Sequence, residues 1–390
     1  MEKLRIVVSG FIGLLPSGGV TWDYLQYPLG FYSMGHDVYY IEDTMQYSKY
    51  QSAGKEWNDS SDSIQYLKDT MKNFGLEDRW AYRDVASGEC FGLTLNKLLE
   101  ICATADLFIN VSLSGYLREE YLKIPKRVLI DSDPMFTQVQ DWDDSFPNKS
   151  SINIKNNLSN YNYLFSFGEN INAQNCRIPT YNLKWEVTRQ PICLNYWQYQ
   201  PVNGSHTFTT VMNWSVRQKL KYQNEEWGQK DVEFEKVMSL PMLFDKANFQ
   251  VVVTDSLKKL DYGKLQQSGW QTVDPLDKIN NTEDYQAFIS ASLGEFSVAK
   301  ETYVKSNSGW FSCRSACYLA SGRPVITQET EWSKYIPSGT GIFAFTDTDS
   351  AIAALTEVTA DIDKHSKAAR DIAEEYFSSE KVLNTLLNKL

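Results

Sequence analysis

The chain has 390 residues, of which 42% are hydrophobic and 22% are charged, a composition typical of soluble globular proteins. No stretch approaches the ~18 consecutive apolar residues of a membrane-spanning helix, so none is predicted. The net charge of −11 argues against an extensive nucleic-acid interface but leaves a local basic groove open. The length exceeds that of one typical core and predicts two domains.

The N-terminal segment MEKLRIVVSGFIGLLPSGG has a basic start and an apolar stretch, as signal peptides do. Ser9 and Gly10 interrupt that stretch, and LRIVVSG is more typical of a first parallel strand that enters a glycine-rich turn. We therefore predict a cytoplasmic protein.

The first half alternates predicted strands and helices. Strands are predicted at Leu4–Ser9, Asp37–Ile41, Leu107–Val111, Arg127–Ile130 and Tyr163–Phe167, and helices at Trp22–Met34, Ser61–Phe74 and Asn96–Thr104. Strands separated by helices indicate a parallel sheet with right-handed crossovers.

The pattern restarts after a linker-like PVNGS at residues 201–205. Strands are predicted at Thr207–Met212, Phe249–Thr254, Pro324–Thr327 and Gly341–Phe345, and helices at Lys230–Leu240, Tyr285–Ser292, Ser312–Ser321, Ser350–Asp361, His365–Tyr376 and Ser379–Leu390. We predict an α/β fold of two doubly wound, Rossmann-like domains, 1–200 and 201–378, which bind ligands beyond the carboxyl ends of their strands.

The helix predicted to begin at Ser312 carries Arg314 in its first turn. The Ser312 hydroxyl can cap this turn. A cation at the positive end of a helix is unfavourable unless an anion lies nearby, so the segment predicts a phosphate-bearing ligand. The alternative is an Arg314 that lies on the surface or pairs with a carboxylate.

Loops that follow predicted strands supply further candidates. Gly18 and Gly19 permit close approach of a ligand to the backbone, although no G-x-G-x-x-G fingerprint is present and a plain turn is the alternative. Asp131 and Asp133 could bind a sugar hydroxyl, act as a general base or hold a metal, whereas capping of the next helix is the competing role.

Two more loops follow predicted strands and are predicted to face the ligand cleft: Gly168-Glu169-Asn170 and Asn213-Trp214. Lys230 at a predicted helix start and Lys300 after GEFSVA are cations that, with Arg314, suit one anionic ligand, although single lysines are more often solvated. The six cysteines show no zinc-type spacing, and Cys313 and Cys317 are predicted to be buried thiols.

The order of segments resembles glycosyltransferases of the GT-B fold, in particular a glycosyltransferase family 1-like group of bacteria and phages. The resemblance implies a nucleotide-sugar donor held mainly by the second domain, an acceptor held mainly by the first, and a final helix, 379–390, that packs back on the first domain. The resembling stretches are Gly18–Asp43, Ile130–Gln138, Phe165–Ile171, Ile178–Pro191, Phe208–Trp214, Trp227–Lys230, Glu295–Val304 and Ser308–Thr330.

The chain departs from the better-known retaining GT-B enzymes at their paired glutamates. Gly309 and Cys317 stand at those positions, and neither supplies a carboxylate. Arg314 and Ser315 belong to the smaller group's own pattern, whose members commonly carry Asp where this chain has Cys313. The resemblance therefore leaves open whether the transfer retains or inverts the sugar configuration.

The sequence thus predicts a glycosyltransferase that uses a nucleotide-diphosphate sugar without a metal or another cofactor. The alternatives are a non-catalytic binding protein, a GT-B epimerase or phosphorylase, and a phage enzyme that modifies DNA. The predicted donor residues are Asn213, Trp214, Lys230, Lys300, Gly309, Trp310, Ser312, Arg314 and Ser315; the predicted bases, in order, are Asp131, Asp133 and Asp23; and the predicted cleft or acceptor residues are Gly18, Gly19, Thr21, Trp22, Glu169 and Asn170.

Overall fold

The computed structural model describes residues 2–48, 55–139, 157–216, 218–255 and 257–390. The first half forms an eight-stranded sheet in the order β4-β3-β2-β1-β5-β6-β7-β8, in which only the β3–β4 pair is antiparallel. Its strands are β1 (Arg5–Ser9), β2 (Asp37–Glu42), β3 (Trp80–Arg83), β4 (Cys90–Gly92), β5 (Leu107–Val111), β6 (Lys126–Asp131), β7 (Tyr163–Ser166) and β8 (Trp185–Val187).

The helices described in the first half are α1 (Gly18–Ser33), α2 (Ser61–Asn73), α3 (Leu95–Thr104) and α4 (Glu119–Leu122). Helix α1 begins before the predicted Trp22, because the Ser17 hydroxyl accepts a hydrogen bond from the Val20 amide at 3.4 Å and caps the first turn. Gly18 and Gly19 are therefore helical residues, and Pro28 lies inside the helix without ending it.

The second half forms a six-stranded parallel sheet in the order β13-β12-β9-β14-β15-β16 and a small antiparallel hairpin, β10–β11. The strands are β9 (Thr207–Asn213), β10 (Leu220–Tyr222), β11 (Glu225–Trp227), β12 (Asn248–Thr254), β13 (Trp270–Val273), β14 (Gly294–Ser297), β15 (Val325–Gln328) and β16 (Ile342–Phe345). This strand order is that of a Rossmann-type sheet, with its reversal between β9 and β14.

The observed helices of the second half overlap the predicted helices in residue range. They are α5 (Lys230–Val237), α6 (Leu240–Leu243), α7 (Tyr262–Gln267), α8 (Pro275–Lys278), α9 (Thr282–Ser290), α10 (Glu301–Lys305), α11 (Cys313–Ala320), α12 (Thr348–Ala360), α13 (Ile362–Tyr376) and α14 (Ser379–Leu387). The predicted helix 230–240 is thus two helices. Sequence reasoning missed β3, β4, β8, β13, β14 and the hairpin, which are short and lack sustained apolar alternation.

The C-terminal helix returns to the first half of the chain. A Cβ built on Gly30 of α1 would lie 2.5 Å from Cδ1 of Leu383, and the Tyr163 hydroxyl donates to the Leu390 carbonyl at 2.6 Å. The first sheet ends at Val187 and the second begins at Thr207, so the predicted boundary at 200 falls between them. Within the described ranges no helix has the length and apolarity to cross a bilayer.

Candidate functional site

Loops at the carboxyl ends of the two sheets contact one another. The Trp310 indole N–H donates to the Ser132 carbonyl at 3.0 Å, and the Lys300 ammonium lies 2.6 Å from Oδ1 of Asp133. Ligands of doubly wound sheets bind at this edge, where the strand order reverses. The edge of the second sheet, beyond β9 and β14, therefore defines the candidate site.

Lys230 is a buried cation without a partner in the described part of the chain. It is the first residue of α5, only 7% exposed, and its side chain makes no hydrogen bond or ion pair to any described residue. Burial lowers its pKa well below the ordinary value, and the neighbouring charges of Arg314 and Lys300 lower it further. The structure thus brings the predicted cations into one electrostatic environment.

Lys300 is partly engaged by the protein itself. Besides its ion pair with Asp133, its ammonium lies 4.6 Å from the ring centroid of Phe136 and 5.1 Å from that of Tyr303. Such cation–π contacts fix the ammonium where the two halves of the chain meet.

Arg314 pairs with a carboxylate. This was the alternative to the prediction that it binds a ligand anion. Its Nε lies 2.5 Å from Oε1 of Glu295, its Nη1 donates to the Val211 carbonyl at 2.6 Å, and its Nη2 donates to the Ser297 hydroxyl. The anion that offsets this cation at the start of α11 is therefore Glu295. A direct contact between Arg314 and a ligand phosphate stays a prediction.

We predict that Arg314→Ala destabilises the fold by about 3–5 kcal/mol, because it leaves the buried Glu295 carboxylate without its partner. Chemical denaturation compares this variant with Lys97→Ala, whose exposed ammonium pairs with the exposed Glu100 at 3.1 Å. An Arg314→Ala protein with wild-type stability and no activity would instead assign this side chain to the ligand.

The start of α11 offers unpaired polar groups. The Ser312 side chain makes no capping hydrogen bond, so the predicted cap is wrong. Among the described residues, no acceptor is found for the first-turn amides of Arg314 and Ser315, and the fully buried Ser315 hydroxyl also lacks a partner there. Unpaired amides at the positive end of a helix favour an anion.

Asp131, the first predicted base, has a structural role. Its side chain is 0% exposed and accepts hydrogen bonds from the Asp133 amide at 3.1 Å, the Gln138 amide group at 2.8 Å and the Ser166 hydroxyl at 2.7 Å. Burial and these three donors favour a structural role for Asp131 over the predicted role of base. Asp133 is partly exposed, but its carboxylate forms an ion pair with Lys300.

Asp23 is the predicted base with the most suitable surroundings. It lies on α1, is half-buried, and accepts a hydrogen bond from the thiol of Cys313 on α11. Burial raises its pKa to about 7, although the Arg314 charge and the Cys313 hydrogen bond oppose this rise. A carboxylate with a pKa near neutrality suits general base catalysis.

The residues predicted to line the acceptor cleft on α1 instead pack against the second half of the chain. The Gly18 amide donates to the Ile279 carbonyl at 2.9 Å, and a Cβ at Gly18 would lie 2.1 Å from the Asn281 carbonyl oxygen. The Trp22 indole donates to the Thr282 carbonyl at 3.2 Å. Gly18, Thr21 and Trp22 are buried, and the close approach near Gly19 is to the Tyr285 ring. These contacts with the protein itself count against the predicted ligand contacts.

Glu169 and Asn170 are also engaged by the protein. Both carboxylate oxygens of Glu169 accept from Arg189 at 2.6 Å. Asn170 donates to the Asn307 carbonyl at 2.8 Å and accepts from the Tyr335 hydroxyl at 2.8 Å. Asn170 thus joins the two halves of the chain, and Arg189, the partner of Glu169, also reaches the second half, because its Nη2 donates to the Tyr335 carbonyl at 3.3 Å.

Gly309 and Trp310 belong to the same junction. Gly309 has a φ of 73°, and a Cβ there would lie 2.5 Å from the Asn170 amide nitrogen, so both conformation and space require glycine. Trp310 forms an isolated bridge with Gly168. Their prediction as donor ligands stays untested, but their observed contacts are with the first half of the chain.

Asn213 and Trp214 end β9 in different environments. Asn213 is exposed and accepts from the Thr254 hydroxyl. Trp214 is buried against Phe234, with ring centroids 5.4 Å apart, so its ring has no exposed face for a donor.

Sequence reasoning missed Glu295 and Ser297, although a carboxylate within the apolar segment LGEFSVA is a sequence signal for a buried ion pair.

No protein-family model matches the chain, and no curated protein matches it. Solved structures do share its fold. An alpha-glucosyltransferase (AGT) in complex with UDP has a TM-score of 0.62 at 11% identity and covers 99% of each chain. Sucrose-phosphate synthase from Thermosynechococcus elongatus has a TM-score of 0.56 at 10% identity, covering 99% of each chain. HepE from Anabaena, in complex with UDP and glucose, has a TM-score of 0.52 at 11% identity, covering 99% of this chain and 100% of its own.

Similarity at such low identity bears on the fold alone. Each of these alignments runs over nearly the whole of this chain, so it includes both sheets and the junction between them. The chain therefore has the two-domain GT-B architecture that its sequence predicted.

Proposed function

We propose that the protein is a glycosyltransferase that transfers a sugar from a nucleotide-diphosphate sugar to an acceptor hydroxyl without a metal, and that it belongs with the family 1-like group of bacteria and phages. Lys230 carries this proposal. A buried ammonium without a described partner costs several kcal/mol, and an anion at that point offsets the cost. A donor diphosphate supplies that anion at the edge of the sheet where nucleotides bind.

The surroundings of Lys230 match the requirements of a diphosphate leaving group. Lys300 and Arg314 add positive charge near Lys230, and the unpaired amides at the start of α11 add hydrogen-bond donors. Fixed positive charge at the point where negative charge develops is the main way such transfers are accelerated. Two of the structures compared above are complexes with UDP, which supports a nucleotide as the ligand.

We assign Asp23 as the general base that removes the proton of the acceptor hydroxyl. As the acceptor oxygen bonds to the anomeric carbon, the bond from that carbon to the diphosphate oxygen breaks and its electron pair leaves with the nucleoside diphosphate. The hydroxyl proton passes to the Asp23 carboxylate, which lies where α1 meets α11. Direct displacement assisted by a base inverts the sugar configuration, and nuclear magnetic resonance of the product reads that outcome.

A DNA acceptor is the second candidate. Another structure with this fold is an alpha-glucosyltransferase in complex with UDP and DNA, with a TM-score of 0.56 at 11% identity over 100% of this chain. The net charge of −11 opposes this candidate, because DNA binding draws on clustered cations.

A thermal-shift screen tests the donor assignment. UDP-, GDP-, ADP- and dTDP-sugars are each added to the protein, and one of them is expected to raise Tm, because a ligand that binds only the native state stabilises it. An unchanged Tm with all four contradicts the proposal. Binding without turnover in the presence of acceptors would favour the non-catalytic alternative, and donor epimerisation would favour an epimerase.

A further inference from the structure

The backbone just before Lys230 is held by the start of α10. The Gly228 amide donates to Oε2 of Glu301 at 2.6 Å, and the Gly228 carbonyl accepts from the Thr302 amide at 3.2 Å and from the Thr302 hydroxyl at 2.8 Å. The Glu301 amide in turn donates to the Gln229 carbonyl at 3.2 Å. We call residues 228–229 and 301–302, which these hydrogen bonds join, the clamp.

The clamp is closely packed, and the chain is also held on the far side of Lys230. A Cβ on Gly228 would lie 2.6 Å from Oε2 of Glu301, so only glycine leaves room for this contact. The Asp231 amide, directly after Lys230, donates to the Trp214 carbonyl at 3.2 Å. Hydrogen bonds therefore fix the backbone on both sides of Lys230.

The other end of α10 contacts β11, the strand that leads into the clamp. The Lys305 ammonium lies 2.8 Å from Oε2 of Glu225, donates to the Glu226 carbonyl at 2.8 Å, and lies 4.5 Å from the centroid of the Trp227 ring. Helix α10 thus contacts residues 225–229 in succession, which ties the whole approach to Lys230 to one short helix.

Lys230 depends on its backbone for its position. Its buried side chain has no hydrogen-bond or ion-pair partner within the described ranges, so no carboxylate of those ranges holds the ammonium in place. Stabilisation of developing charge requires a group whose position is fixed before the reaction begins. The clamp supplies that fixed position, because it sets where α5 begins.

Glu301 acts on Lys230 through the backbone rather than through its charge. Burial has the largest effect on the pKa of Lys230, which it lowers, and the charged groups that come next are Arg314, Lys300, Glu295 and Asp133. Glu301 is not among these groups, whereas its carboxylate lies within hydrogen-bond distance of the Gly228 amide, two residues before Lys230.

We propose that Glu301 is a positioning residue for the transfer: its carboxylate accepts the Gly228 amide, fixes the start of α5, and so places the Lys230 ammonium against the donor diphosphate. This inference rests on the proposed function and deepens it. Glu301 acts through Lys230 and does not itself contact the diphosphate.

A double-mutant cycle tests this role in the full chain, with calorimetric titration of inorganic diphosphate and of UDP as the probes. Glu301→Ala removes the acceptor of the Gly228 amide and should weaken Kd about tenfold. Glu301→Gln keeps a side-chain carbonyl that can accept this amide and should stay within about threefold of wild type. In the Lys230→Met protein, Glu301→Ala should change Kd less than about twofold, because the cation that it positions is gone.

Asp106→Ala is the matched control, because Oδ2 of Asp106 accepts the Arg5 amide at 2.7 Å at the amino end of β1, the opposite edge of the sheet from the site. It should leave Kd unchanged. Tm is recorded for every variant. If Glu301→Ala does not fold, Thr302→Val, which loses the hydroxyl bond to the Gly228 carbonyl, takes its place in the cycle with the same expected pattern.

Three results would overturn the positioning role: an unchanged Kd in Glu301→Ala, an equal weakening in the wild-type and Lys230→Met backgrounds, or a Glu301→Gln protein as weak as Glu301→Ala. The second result would mean that the clamp acts on binding without Lys230. Failure of both probes to bind the wild-type protein would overturn the proposed function instead.

Discussion

Replacement of Lys230 by methionine is expected to lower kcat/KM about 10²- to 10³-fold, the range found when one preorganised donor to a developing negative charge is removed. Methionine keeps most of the volume of the lysine side chain but carries no charge, so the donor diphosphate loses its buried partner. The rate of nucleoside-diphosphate release at saturating acceptor checks this expectation.

The same substitution should not destabilise the protein. The Lys230 ammonium is buried and has no described ion-pair partner, so its removal relieves a desolvation cost and Tm should stay constant or rise. Lys236→Met is the matched control for activity, since Lys236 lies on the same helix and is mostly exposed; its own Tm should fall, because the buried Glu233 loses its ion-pair partner at 2.8 Å. A Lys230→Met protein that unfolds while keeping full activity per folded molecule would assign Lys230 a structural role.

Asp23→Asn is expected to lower kcat/KM about 10²- to 10⁴-fold, the usual contribution of a general base. In the wild-type protein kcat/KM should fall as the pH drops below about 7, because burial raises the pKa of Asp23 to about 7 and the protonated acid cannot accept a proton. The variant should lose this acid limb of the pH profile. A wild-type profile that is flat from about pH 5 to about pH 8 would exclude Asp23 as the base.

The stability of the Asp23→Asn protein supplies an independent check. A carboxyl group whose folded-state pKa lies above its ordinary value binds its proton more tightly in the folded protein than in the unfolded chain. Its contribution to the free energy of unfolding is therefore complete at low pH and is lost as the pH rises toward 7. Asparagine does not ionise, so the Tm of the variant should gain on wild type as the pH rises from about 4 to about 7 and should gain no further above that.

The fold could be predicted from the sequence because the signals for strands and helix ends lie within short stretches of the chain. Buried strands such as Asn248–Thr254 are rich in consecutive apolar residues, and glycines such as Gly35 mark helix ends. The strand β3 (Trp80–Arg83) escaped prediction because it is short and ends in a charged residue. Its place in the sheet depends on pairing with β2, which is a long-range contact.

The site was only partly predictable, because burial and pairing depend on distant residues. The loop position of Asp131 indicated a base, but donors from Gln138 and Ser166 enclose it. Arg314 was predicted beside an anion, and the anion proved to be Glu295 from β14. Lys230 and Asp23 were named from helix starts and strand-end loops, whereas their burial and their shared neighbour Arg314 required the folded chain.

Titration calorimetry of the nucleoside diphosphate against wild type, Lys230→Met and Lys236→Met tests the central assignment most directly. The nucleoside diphosphate used is that of the donor found in the thermal-shift screen. We predict that Lys230→Met weakens Kd about 10²-fold or more, whereas Lys236→Met leaves it unchanged. Equal affinity of all three proteins would contradict the assignment of the diphosphate to Lys230.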